Sequence, residues 1–106
     1  MAKFNIIQTN LNNTNLGKVT GLKVIMDGSN ATLSWKAVTG ATGYEVYYEV
    51  PNVGAHRVYS SATYKILSGV ATSKISYCTA RVRAYKTVNG EKVYGAYSDI
   101  IRFRKN

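Results

Sequence analysis

The stretch "CTARVRAYKTVNGEKVYGAYSD", residues 78–99, decides the fold. Its first half alternates strictly: Cys78, Ala80, Val82 and Ala84 fall on one side, and Thr79, Arg81, Arg83 and Tyr85 on the other. A period of two is that of a β-strand with one buried and one wet face. Asn89-Gly90 follows, a pair that supplies two positive-φ residues and closes a tight hairpin. Small apolar side chains therefore face a core, and a basic, aromatic stripe faces away from it.

The same period runs through the neighbouring segments. "VTGLKVIMDGSN" (19–30) reads as a strand ending at the turn Asp27-Gly28-Ser29-Asn30. "ATLSWKAV" (31–38) sets Leu33 and Trp35 on one side, and "TGATG" (39–43) is a turn. "YEVYYEV" (44–50) places Tyr44, Val46, Tyr48 and Val50 on one face, with Glu45, Tyr47 and Glu49 on the other. Pro51 stops it from continuing as a central strand. Weaker strands are expected in "HRVYSSATYKIL" (56–67) and "SKISY" (73–77), and "YSDIIRFR" (97–104) closes the series. No window has the apolar spacing of an amphipathic helix. Short strands separated by Gly/Asn turns predict an all-β fold, an immunoglobulin-like two-sheet sandwich of about seven strands. It occupies residues 19–106. Residues 1–18, rich in Asn and Thr, read as an arm or linker whose apolar cluster is Phe4, Ile6 and Ile7.

Three segments carry a resemblance: "VTGLKV", "ATLSWKAVTGATGYEVYYEV" and "RVRAYKTVNGEKVYGAYSD". Together, in this order, they resemble a fibronectin type III domain of the bacterial and bacteriophage type. The match spans about 19–100 and is poor from 52 to 76. The resemblance implies an A-B-E sheet packed on a C′-C-F-G sheet, with Trp35 in the core and Tyr44 and Val46 facing it. The expected core is Leu33, Trp35, Tyr44, Val46, Ala80, Val82 and Ala84; Ala80 and Ala84 are small because large side chains must fit opposite them. One departure stands out. The family usually carries a tyrosine four residues before the position of Val82, in a tyrosine corner, and Cys78 stands there with Tyr77 beside it. Either Tyr77 does that job after a one-residue bulge, or the E–F connection differs.

Lys and Arg total 14 against five acids, a net charge of +9. Such a field favours polyanions or an acidic protein surface, and it also serves plain solubility. One Cys and one His allow neither an intrachain disulfide nor a four-ligand zinc site. No apolar run approaches the ~20 residues that span a bilayer. The first 18 residues lack the apolar core of a secretory signal, so the chain is expected to be either part of a longer exported protein or a small protein exported otherwise or not at all.

Catalytic, metal and cofactor sites are not assigned: His56 falls in an expected loop, Cys78 points inward, and the five acids are scattered, with Glu45 and Glu49 expected in solvent beside Lys or Arg. The candidate interaction face is Tyr47, Arg81, Arg83, Tyr85, Arg102 and Arg104. Arginine beside aromatic rings can clamp an anion; the same residues also suit any exposed sheet. The resemblance and the arm together imply a non-catalytic structural or adhesive module. Its first expected setting is the surface of a bacteriophage virion, as a capsid-decoration or tail-associated protein held by the arm to protein subunits of a larger assembly. The alternatives are a spacer, or a domain binding carbohydrate or an anionic wall polymer, in a longer extracellular bacterial protein, and a polyanion or nucleic-acid binder. No cofactor and no membrane insertion are expected.

Overall fold

The computed structural model describes residues 16–106. The candidate anchor residues Phe4, Ile6 and Ile7 lie outside the described residues. Eight strands run in chain order: β1 Lys23–Asp27, β2 Asn30–Ser34, β3 Gly43–Val50, β4 Gly54–Ser60, β5 Tyr64–Leu67, β6 Cys78–Val88, β7 Glu91–Tyr94 and β8 Ile101–Phe103. One sheet has the order β1-β2-β5; the other has the order β4-β3-β6-β7, with β8 also on β6. All pairs are antiparallel. These are the A-B-E and C′-C-F-G layers of the expected sandwich.

The inward faces meet where the alternation places them. Ala31 and Leu33 on β2 and Leu67 on β5 oppose Tyr44, Val46 and Val50 on β3 and Cys78, Ala80, Val82 and Ala84 on β6. Trp35 is only 6% exposed and meets the Tyr44 ring edge-on, with centroids 5.5 Å apart. The Tyr44 hydroxyl accepts a hydrogen bond from the Val38 amide at 2.9 Å, so this buried ring is held at its polar tip. Ala80 and Ala84 are buried on the inward face of β6, Ala84 opposite Tyr44 and Ala80 opposite Tyr48. Ala84→Phe is therefore expected to overpack the core and cost roughly 1–3 kcal/mol. The urea midpoint reports it, and an unchanged midpoint would contradict this packing.

The structure departs from the expectation in three places and decides the alternative left open at Tyr77. The chain after the Asn89-Gly90 turn pairs with β6 in two pieces, β7 and β8, and the expected closing strand 97–104 is shortened to Ile101–Phe103, which makes eight strands where about seven were expected. Between β7 and β8 the Ser98 amide donates to the Val82 carbonyl at 2.7 Å, and the Val82 amide donates to Ser98 Oγ at 3.0 Å. A side-chain oxygen thus replaces a ladder carbonyl, pairing with β6 continues across the break, and Tyr97 is re-aimed onto the outer face, as β-bulges do.

The segment "SKISY" forms no strand. There the chain passes from one layer to the other: the Gly69 amide donates to Asn30 Oδ1 at 2.7 Å and the Ala71 amide to the Ser29 carbonyl at 3.1 Å, while Val70 and Ala71 enter the core. His56 is not in a loop but on β4, in register with Tyr48 and stacked on its ring at 5.2 Å. Asn52 (φ 64°) and Gly54 (φ 127°) make the preceding turn tight enough for β4 to begin at Gly54.

Tyr77 does not form a tyrosine corner. It is 42% exposed, and Cys78 takes the inward position with its thiol directed at the Val70 carbonyl at 3.9 Å. The E–F connection therefore differs from the family pattern, and burial pushes the Cys78 thiol pKa up. The Asn89-Gly90 turn is as read, with φ of 53° and 84°. Val19 is fully buried, Leu16 packs against the core, and Lys18 pairs with Asp99 at 2.8 Å on the surface.

Candidate interaction face

The outward face of the β4-β3-β6-β7 sheet is assembled by register. Tyr59, Glu45 and Arg83 form one cross-strand row, Arg57, Tyr47 and Arg81 the next, and Ala55, Glu49, Thr79 and Arg102 the third. Beyond them Tyr85 stands opposite Gly43 and Tyr94. A Cβ on Gly43 would lie 2.7 Å from the Tyr85 hydroxyl, so the glycine leaves the space that this ring crosses toward Tyr59, 6.0 Å away.

At the centre lies a carboxylate that the alternation places in solvent. Glu45 is 1% exposed. Arg83 donates to it from Nε at 3.0 Å and Nη2 at 3.2 Å, a two-pronged contact. The Tyr97 hydroxyl also donates to Oε1, Tyr59 donates to Oε2 at 3.4 Å, and Arg57 Nε stands 3.7 Å away. The expectation of a solvated Glu45 is thereby corrected. It does point outward, but the long side chains on either side, with Tyr97 brought in by the strand break, close over it.

Burial alone would raise the Glu45 pKa, yet the hydrogen bonds from Arg83 and Tyr97 and the two guanidinium charges leave it below its ordinary value. Burial, together with Glu45, raises the Tyr97 phenol. Burial would lower Arg83, but Glu45 more than offsets that and raises it.

The remaining cations stack on rings. Arg81 sits 4.2 Å from the Tyr97 centroid and 5.2 Å from that of Tyr47; Arg83 lies 3.6 Å over Tyr94; Arg57 lies 5.0 Å over Tyr47. Lys92 reaches the Tyr59 and Tyr85 rings. A separate cluster occupies the far end, where Arg102 and Arg104 each lie 4.9 Å from the Tyr77 centroid. Between the two clusters runs an open trough: a hollow of about 620 Å³ passing Val53, Tyr77 and Thr79, and one of about 160 Å³ bounded by Tyr47, Glu49, Arg81 and Ile100.

The structure thus brings Tyr47, Arg81, Arg83 and Tyr85 into one network and places Arg102 and Arg104 around Tyr77. Arg83 is committed to Glu45. Arg81, Arg102 and Arg104 have no carboxylate partner among the described residues. Sequence reasoning missed Arg57, Tyr59, Lys92, Tyr94 and Tyr97. Lys92 and Tyr94 had a usable signal, because a two-residue Asn-Gly turn fixes their register against Thr87 and Tyr85. Tyr97 had none, since period two fails where the strand breaks.

Comparison with solved structures bears on this layout. A myokine superimposes with a TM-score of 0.66 at 12% identity, covering 84% of this chain and 96% of the other. A Fn3-like protein from Clostridium thermocellum superimposes with a TM-score of 0.51 at 24% identity, covering 83% and 93%. The fold is fibronectin type III-like. The sandwich also recurs within a much longer chain: the Clostridium perfringens spore cortex lytic enzyme SleM matches with a TM-score of 0.56 at 18% identity, covering 86% of this chain but 28% of the enzyme. No family model matches the sequence, and no curated protein matches it. At these identities the likeness concerns the fold alone.

Proposed function

We propose that the chain is a non-catalytic structural and adhesive module that presents the outer face of its larger sheet to a partner. One observation carries the reading: Tyr47, Tyr97 and Arg81 are held in place around the buried Glu45–Arg83 pair, while Arg81, Arg102 and Arg104 keep their charge free of carboxylates among the described residues. A surface ordered before contact loses less side-chain freedom on binding. In this reading residues 1–18 attach the sandwich to protein subunits of a larger assembly, and the setting is the surface of a bacteriophage virion. The Asn-rich arm with Phe4, Ile6 and Ile7 supplies a polar tether and an apolar anchor.

The test is the mass of the native species. The chain is expected in a large particle at fixed stoichiometry. A variant lacking residues 1–15, which keeps Leu16 against the core and the Lys18–Asp99 pair, is expected to hold its thermal midpoint but leave the particle. Full occupancy by the truncated protein would overturn the anchor.

A second reading has one observation in its favour. The SleM sandwich forms a minor part of a longer lytic enzyme. By analogy this chain would be a spacer or polymer-binding domain of an extracellular protein, and isolation as part of a longer polypeptide would decide for it.

A further inference from the structure

We propose that Arg81, Arg102 and Arg104 bind the phosphates of an acyclic phosphodiester polymer, of the poly(glycerol phosphate) type. This rests on the reading of the outer face as the working surface and names its ligand.

The first argument is charge. Glu45 is occupied by Arg83 and approached by Arg57, and Glu49 accepts the Tyr47 hydroxyl at 3.0 Å. Among the described residues Arg81, Arg102 and Arg104 have no carboxylate partner; Arg81 borders the trough, and Arg102 stands beside it, in register with Thr79 of its wall. The second is spacing. Arg102 lies on β8 opposite Thr79, and Arg104 just past the end of β8, two residues or about 6.8 Å further along; Arg81 lies on β6 two residues from Thr79, so it is displaced from Arg102 by about 6.8 Å the other way and by one strand spacing of about 4.8 Å. That is a short line of positive centres suited to a linear polyanion whose charge lies in its backbone. Arg81 Nε is buried without a partner among the described residues, so its N–H is an unmet donor at the trough.

The third argument separates ligand classes. Single-stranded nucleic acid gains much of its affinity by stacking bases on open aromatic faces. Here guanidinium groups already lie over the rings: Arg81 over Tyr47 and Tyr97, and Arg102 and Arg104 over Tyr77. A ring-held guanidinium still offers its N–H edge to phosphate. The exposed Ile100 and Val53 at the trough supply apolar contact for short carbon linkers.

The test uses the full chain with three labelled probes of matched length: synthetic poly(glycerol phosphate), oligothymidylate and polyglutamate. Poly(glycerol phosphate) is expected to bind at least about tenfold more tightly than either control, with log K falling against log salt at a slope of about −2 for three phosphate contacts. Arg102→Gln/Arg104→Gln is expected to lose about tenfold or more. Both side chains are exposed, so the thermal midpoint should hold. Arg102→Lys/Arg104→Lys keeps the charge and is expected to fall between, having lost the fork. Glu49→Gln is expected to tighten binding by removing a repelling carboxylate. Equal or tighter binding of oligothymidylate or polyglutamate, wild-type affinity in the Gln variant, or no binding of poly(glycerol phosphate) overturns the proposal. An absence of polymer binding in a chain that still sediments with a particle would remove this inference and leave the adhesive-module reading standing. Polymer binding by a chain found only as a free monomer would do the reverse.

Discussion

Glu45→Ala lowers the stability of the sandwich by about 2–4 kcal/mol, a fall in thermal midpoint on the order of 15 °C for a domain of this size. Removing the carboxylate leaves Arg83, whose side chain is 24% exposed, without its two-pronged acceptor, and leaves the Tyr97 hydroxyl unpaired. The loss falls short of that for a fully buried charge because Arg83 keeps some contact with water. Glu45→Ala/Arg83→Met is expected to recover most of it, since an apolar pair leaves no charge unmatched. If the single and double variants are equally unstable, Glu45 acts through packing and not through Arg83.

The same group sets the acid limb of stability. Its folded pKa lies below the ordinary 4.5, so its contribution is fully present above about pH 4.5 and fades as pH falls through the lower folded value. Tyr97 works at the other end: its folded pKa lies above 10, so its contribution is present below pH 10 and fades as pH rises through the folded value. Urea midpoints across the acid range should decline in the wild type and decline less in Glu45→Ala. Parallel curves would assign the acid loss to other groups.

Trp35→Ala is expected to be the most damaging core change, at about 3–5 kcal/mol. That is most of the margin of a typical small domain. The indole fills the space between β2 and the Tyr44 ring, and the alanines of β6 are too small to close over a cavity there. Trp35→Phe separates size from hydrogen bonding. The indole Nε1 has no partner among the described residues, so phenylalanine loses volume but no hydrogen bond, and a cost of about 1–2 kcal/mol is expected. A cost equal to that of alanine would mean the N–H is bonded in solution to an ordered water.

The sandwich was legible because its longest strand alternates without a fault. Ala80, Val82 and Ala84 are inward in the sequence pattern and inward in the structure, and Asn89-Gly90 names its own turn. Two kinds of feature were not legible. Period two assigns a side to each residue but says nothing about what its neighbours cover, so Glu45 points outward and is nonetheless buried. Local pattern also cannot foresee a strand that keeps its pairing through a serine hydroxyl. The Ser98 break looks like ordinary sequence, yet it delivers Tyr97 to the carboxylate. Between 52 and 76 the resemblance is poor, and it is there that Arg57 and Tyr59 went unnoticed and an extra strand was expected.

The claim beneath both the stability and the binding arguments is that a charged Glu45 lies under the outer face, held by Arg83 and Tyr97. Side-chain carboxyl NMR on the folded protein measures it directly. The Glu45 resonance should titrate below 4.5 and move when Tyr97 is replaced by phenylalanine. A midpoint at or above the ordinary value, insensitive to Tyr97→Phe, would contradict the account.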